Sequence, residues 1–88
     1  MRMKGDFMLR QVARTWVVLP MGQSTLDLNG MLTLNESGAL LWKTLEQGGG
    51  REAMVAALTG EYDVSAVQAA ADVERFLNKL ADAGIEIE

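Results

Sequence analysis

The chain has 88 residues and a formal net charge of −4, and 49% of its residues are apolar. This length allows one domain, and the apolar fraction is sufficient for a hydrophobic core. Cysteine and histidine are both absent. Their absence excludes disulfides, thiol nucleophiles, zinc sites built from these residues and histidine acid–base catalysis. The sequence therefore favours a binding or structural domain over an enzyme.

Neither a membrane span nor a signal peptide is visible in the sequence. No apolar run approaches the roughly 18–20 residues that cross a bilayer, and the first six residues lack the apolar stretch of a secretion signal. We therefore expect a cytoplasmic protein without a membrane partner, with residues 1–88 forming one domain and residues 1–6 flexible. We expect no cofactor and no metal, because no loop has the alternating Asp and Asn residues of a calcium site.

The first third of the chain has the patterns of β-strands. Residues 7–12 alternate in polarity, and residues 15–19 are a β-branched and aromatic run that ends at Pro20. Ala13 and Arg14 between these two segments are expected to form a tight turn. Further on, leucines at positions 26, 28, 32 and 34 recur as one buried strand face requires. The central Asn29–Gly30 fits either a hairpin or a bulge in one longer strand.

Three helices are predicted in the remaining residues. Asn35 is a suitable N-cap for a helix that begins at Glu36, and the three glycines at positions 48–50 end it. A second helix is expected over residues 52–62. Asp63 or Ser65 caps a third helix over residues 66–83, with a glycine following at position 84. The predicted core stripe of the third helix consists of Val67, Ala70, Val73, Leu77 and Leu80.

This order of elements predicts an α+β fold. A small antiparallel sheet cannot bury its apolar face alone, so the helices should pack on it. We expect a winged helix-turn-helix-like domain in which a three- to four-stranded antiparallel sheet is followed by three helices.

A helix-turn-helix suggests DNA binding, but the charges of this chain oppose that function. The first turns of the third helix, residues 65–71, contain no cation, and residues 51–88 carry three basic and eight acidic side chains. Phosphate contacts dominate DNA affinity, so this half would repel a duplex. We therefore expect no nucleic-acid partner. DNA binding and a structural or oligomerisation role, by pairing of a free strand edge, are the alternatives.

Several segments together resemble one known family. They are residues 34–42 at the start of the first helix, residues 61–64, residues 72–80 and residues 83–85, preceded by residues 8–12 and 17–20. In this order they are similar to the PqqD-like family, the RiPP precursor peptide recognition elements. The resemblance extends from about residue 7 to residue 87. Residues 26–30 depart from it, because they make the segment before Met31 longer than the shortest family hairpins.

The resemblance implies a non-catalytic module that binds the leader segment of a ribosomally made precursor peptide. The module then presents the peptide to a modifying enzyme, often a radical S-adenosylmethionine protein. In the family, the leader adds as a strand to the third strand of the sheet, in the cleft between that strand and the third helix. The oligomeric state consistent with this role is a monomer or an edge-paired dimer.

The predicted peptide site combines that strand edge with one face of the third helix. Ala69 and Phe76 would floor a groove for an apolar side chain, while Arg75 and Lys79 would pair with a carboxylate of the leader. The full set of predicted peptide-binding residues is Met31, Leu32, Thr33, Leu34, Ala69, Asp72, Arg75, Phe76 and Lys79.

Overall fold

A computed structural model describes residues 1–22 and 32–88 of the chain. In these residues three strands precede three helices, namely β1 (Phe7–Val12), β2 (Thr15–Pro20), β3 (Leu32–Leu34), α1 (Glu36–Glu46), α2 (Arg51–Glu61) and α3 (Ala66–Asp82). The strands form an antiparallel sheet in the order β1-β2-β3. The predicted α+β fold is confirmed. The predicted strand or hairpin through residues 26–31 lies outside the described residues.

A two-residue turn joins β1 to β2, as predicted. Val12 pairs with Thr15, which leaves Ala13 and Arg14 as the two central residues of the turn. Ala13 has a φ of 57°, whereas Arg14 does not have a positive φ. This combination is typical of a type II′ turn, which matches the twist of the two strands.

The hydrogen bonds of the hairpin fix the direction of the backbone groups in β2. The Met21 N–H donates to the carbonyl of Asp6, its directly opposed residue, over 2.9 Å. In an antiparallel ladder such bonded pairs alternate with non-bonded pairs. Arg10 and Val17 therefore form another bonded pair in this register, with the backbone groups of Val17 directed toward β1.

The same alternation determines which backbone groups of β3 point away from β2. Trp16 and Val18 direct their backbone groups toward β3, where they oppose Leu34 and Leu32. Those two leucines therefore bond to β2, and the N–H and C=O of Thr33 point away from the sheet. Among residues 1–22 and 32–88, β3 is at the end of the strand order, so the donor and the acceptor of Thr33 pair with no described strand.

One core lies between the sheet and the helices. Trp42 of α1 is fully buried and meets the ring of Phe7 in a T-shaped contact with 6.0 Å between centroids. Its indole Nε1 has no acceptor among the described residues. At the edge of the core, Lys43 Nζ lies 4.4 Å from the ring centroid of Trp16. The buried cluster includes Val18, Leu32, Leu34, Leu41, Trp42, Leu45, Met54, Leu58, Ala69, Val73, Phe76, Leu77, Leu80 and Ile85.

Side-chain caps begin two of the helices. The Asn35 carboxamide oxygen accepts a hydrogen bond from the Gly38 N–H at 2.8 Å, as predicted for the start of α1. At the start of α3 the Ser65 hydroxyl oxygen accepts from the Gln68 N–H at 3.1 Å. Of the two predicted caps for α3, Ser65 is therefore the one used.

The predicted core stripe of α3 is wrong at two positions. Val67 is 83% exposed and Ala70 is also exposed, whereas Ala69 and Phe76 are buried together with the predicted Val73. Six residues make about 1.7 turns of helix, so a side chain six positions before Val73 lies on a different side of α3. The actual core face therefore passes through Ala69, Val73, Phe76, Leu77 and Leu80.

The first residues of the chain, expected to be flexible, pair with the last ones. Met3 and Ile87 form an isolated antiparallel bridge. The Arg2 N–H donates to the carbonyl of Glu88 at 3.2 Å, and the Lys4 N–H donates to the carbonyl of Glu86 at 2.8 Å. This pairing holds the two chain ends side by side.

Two glycines should respond in opposite ways to substitution by alanine. Gly60 lies in α2 with open space where a methyl group would be added, so Gly60→Ala should raise the free energy of unfolding by about 0.5–1 kcal/mol. A Cβ on Gly49 would lie 2.9 Å from Thr44 Cγ2 and 3.0 Å from the Thr44 carbonyl oxygen. Gly49→Ala should therefore lower the free energy of unfolding by at least about 1 kcal/mol. Urea denaturation of both variants checks the contrast, which equal effects would contradict.

Candidate functional site

An open cleft of about 560 Å³ lies between the end of β3 and α3. The turn between β1 and β2 and the first turn of α1 form its other walls. The residues that line it are Arg14, Thr15, Thr33, Leu34, Asn35, Ser37, Gly38, Leu41, Leu58, Asp72, Arg75, Phe76 and Lys79. It is thus the strand–helix cleft in which the sequence predicts the peptide site.

The floor of the cleft is apolar and belongs to the core. Leu34 is 3% exposed and Phe76 is 6% exposed, and Leu41 and Leu58 lie beside them. These side chains are held by packing from the sheet and all three helices, so the floor is rigid. A side chain that covered it would gain contact with apolar surface without rearranging the core.

The junction between β3 and α1 brings the strand edge to this floor. Only Asn35 separates the two elements, and its side chain is fixed by its cap hydrogen bond. A Cβ on Gly38 would lie 3.2 Å from the Leu34 Cβ, so glycine at this position lets α1 start close against the strand. The outward N–H and C=O of exposed Thr33 lie at the rim of the same cleft.

Four charged side chains line the rim, and two of them pair with each other. Arg75 forms a salt bridge with Asp72, whose carboxylate also accepts a hydrogen bond from Gln68 Nε2 at 3.1 Å. Arg14 and Lys79 are exposed and form no ion pair with any described residue. The rim therefore carries one neutralised pair and two cations that are available to a ligand.

The structure brings most of the predicted peptide-binding residues together. Thr33, Leu34, Asp72, Arg75, Phe76 and Lys79 all line the cleft. Leu32 and Ala69 instead lie in the core, 4% and 0% exposed, and they are not among the lining residues. Met31 lies outside the described residues. Peptide binding by this set stays a prediction.

Sequence patterns did not indicate several of the lining residues. Arg14 and Thr15 reach the cleft because Trp16 pairs with Leu34, which places the β1–β2 turn beside the end of β3. That proximity depends on strand register, which is a long-range property. Five further lining residues were also missed. The sequence indicated three of them only as the start of a helix and two only as apolar helix positions; they are Asn35, Ser37, Gly38, Leu41 and Leu58.

Two shifted pKa values belong to helix packing outside the cleft. Burial raises the pKa of the Tyr62 hydroxyl, and the nearby carboxylates of Glu36 and Glu61 raise it further. The pKa of the Arg51 guanidinium is raised by its hydrogen bond to Glu74 and by the charge of that carboxylate. Neither residue lines the cleft.

Two other kinds of site are absent from the described part of the chain. Within residues 1–22 and 32–88, no three carboxylates cluster in a way that could hold a metal ion. None of the described helices has the length and apolar character needed to cross a membrane.

The described residues form a small α+β domain in which the last strand of the sheet lies beside a cleft against α3. The family model for coenzyme PQQ synthesis protein D (PqqD) matches residues 15–85. The chain therefore belongs to the PqqD family.

Two solved structures have the same fold. One is described as TbiB1 in complex with the TbiA(beta) leader peptide; it is 24% identical with a TM-score of 0.76, over 100% of this chain and 98% of that one. The other is lasso peptide synthetase B1 complexed with the leader peptide, also 24% identical with a TM-score of 0.76, over 99% of this chain and 96% of that one. No curated protein gives a significant match.

Proposed function

We propose that this chain binds the leader segment of a ribosomally synthesised precursor peptide and presents the peptide to a modifying enzyme. The leader would add as a strand to the free edge of β3 and lie in the cleft against α3. The observation that carries this proposal is the outward N–H and C=O of Thr33 at an open edge beside an apolar floor.

Two further observations support a peptide ligand. The two structures with the same fold are described as complexes with leader peptides. An added strand also needs little from its own sequence, because backbone hydrogen bonds supply affinity and side-chain contacts supply specificity. A cleft with one open backbone edge and a rigid apolar floor offers both kinds of contact.

The proposed role is non-catalytic. The chain contains no histidine and no cysteine, and the polar side chains that line the cleft are hydroxyls, the Asn35 amide, the Asp72–Arg75 pair and the two cations Arg14 and Lys79. The chemistry would therefore belong to the partner enzyme. We propose that this enzyme is a radical S-adenosylmethionine protein, as the family resemblance implies.

A binding experiment tests this function. The probes are synthetic N-terminal segments of the short open reading frames that flank this gene, each with a scrambled version as its control. We expect one segment to bind with micromolar or tighter affinity in calorimetry, with NMR shift changes concentrated at Thr33, Leu34 and Phe76. Duplex DNA at low salt should cause no gel shift. Equal binding of native and scrambled segments, or shift changes remote from the cleft, would contradict the proposal.

A further inference from the structure

The charge of the cleft is opposite to the charge of the rest of the chain. Arg14, Arg75 and Lys79 line it together with one carboxylate, that of Asp72, so the rim carries two net positive charges. The whole chain has a net charge of −4, which leaves −6 on the other residues. Basic side chains are concentrated around the cleft although the domain as a whole is acidic. This distribution favours an anionic ligand in the cleft.

The two unpaired cations are available to such a ligand. Arg14 and Lys79 are both exposed and have no acidic partner among the described residues. Glu36 is next to two lining residues, but it is not itself one of them and it forms no ion pair with Arg14 or Lys79.

The geometry of an added strand decides where the charges of the ligand would be. Side chains two residues apart on a strand share one face and are about 6.6–6.8 Å apart. On α3, Phe76 and Lys79 are three residues apart and so are neighbours on the helix surface. If one peptide residue covers Phe76, the residue two positions along the peptide would therefore lie near the cations, and the adjacent residue would not.

We propose that the cleft selects an acidic peptide segment, an inference that rests on the proposed function. One apolar side chain of the segment covers the floor at Leu34 and Phe76. An Asp or Glu two residues before or after it pairs with Arg14 or Lys79. The apolar contact supplies most of the affinity, while the carboxylates set the register and accelerate association.

Selection from a random peptide library displayed on phage tests this inference without a known ligand. Three forms of the full chain serve as bait: the wild type, the double variant Arg14→Gln with Lys79→Gln, and the control Lys4→Gln with Arg10→Gln. The control removes two cations that do not line the cleft. Thermal unfolding of all three forms checks that they fold equally well.

We expect Asp and Glu to be enriched two positions from an apolar residue on the wild type and on the control, and not on the double variant. Replacing such an Asp by Asn in a selected peptide should weaken binding about two- to fivefold, with a smaller effect at high salt. Selected peptides without an acidic excess, or an excess that persists on the double variant, would overturn the inference and leave the proposed function standing. If the wild type enriches no peptide at all, the result would count against both this inference and the proposed function.

Discussion

Thr33→Pro is expected to weaken peptide binding about tenfold or more while leaving the domain folded. Proline removes the N–H that points away from the sheet at the edge of β3, and with it one backbone hydrogen bond to the added strand. The lost bond and the bulk of the ring at the edge together correspond to about 1.4 kcal/mol or more. Proline is tolerated on edge strands when its missing N–H would face away from the sheet.

Thr33→Val is the matched control, because valine keeps the N–H and suits a strand. It should bind peptide within about twofold of the wild type, since it changes only a side chain at the rim. Calorimetry gives the affinities, and urea denaturation should place the free energy of unfolding of the proline variant within about 1 kcal/mol of the wild type. Unchanged binding by a folded proline variant would contradict strand addition at β3.

Trp42→Ala is expected to lower the free energy of unfolding by about 3–5 kcal/mol. The side chain is fully buried, and its removal would leave a cavity beneath the sheet and end the T-shaped contact with Phe7. Stabilities of small domains are about 5–15 kcal/mol, so a large part of the total would be lost. Urea denaturation at constant temperature measures the change.

Trp42→Phe separates the packing of this residue from its polar group. The indole Nε1 has no acceptor among the described residues, and a buried donor without a partner costs free energy in the folded state. Phenylalanine removes that donor and keeps most of the apolar contact. We expect Trp42→Phe to lower the free energy of unfolding by less than half as much as Trp42→Ala does. Equal decreases would show that packing at the outer ring of the indole dominates.

Much of the fold was predictable because its signals are local. The strands before and after Ala13–Arg14 follow from alternation and β-branched residues, and the helix starts at Asn35 and Ser65 follow from capping chemistry. The ends of α1 and α3, just before Gly48 and Gly84, are equally local. Each of these features depends on neighbours within about four residues.

The buried face of α3 was harder to predict, for a physical reason. Apolar residues occur around much of its surface, and alanine is tolerated both inside and outside a core. The sequence alone did not distinguish a stripe through Val67 and Ala70 from the true one through Ala69 and Phe76. Packing against other elements, chiefly α2, decides which face of α3 is buried, and the periodicity within α3 does not record it.

The candidate site was predictable only in part for the same reason. Thr33, Phe76 and Lys79 follow from the family resemblance and from helix spacing, and all three line the cleft. Arg14 was missed, because a cation in a two-residue turn is typical of solvent-exposed turns. The antiparallel register that brings this turn to the end of β3 is set by pairing across the sheet.

Amide hydrogen exchange at Thr33 tests the central claim most directly. In the free protein the Thr33 N–H should exchange rapidly, while the N–H groups of Leu32 and Leu34, which face β2, should be protected. Saturation with a bound leader peptide should slow exchange at Thr33 by at least about tenfold, because its N–H would then donate to the added strand. A peptide that binds with full affinity while Thr33 exchanges at its free rate would contradict the account.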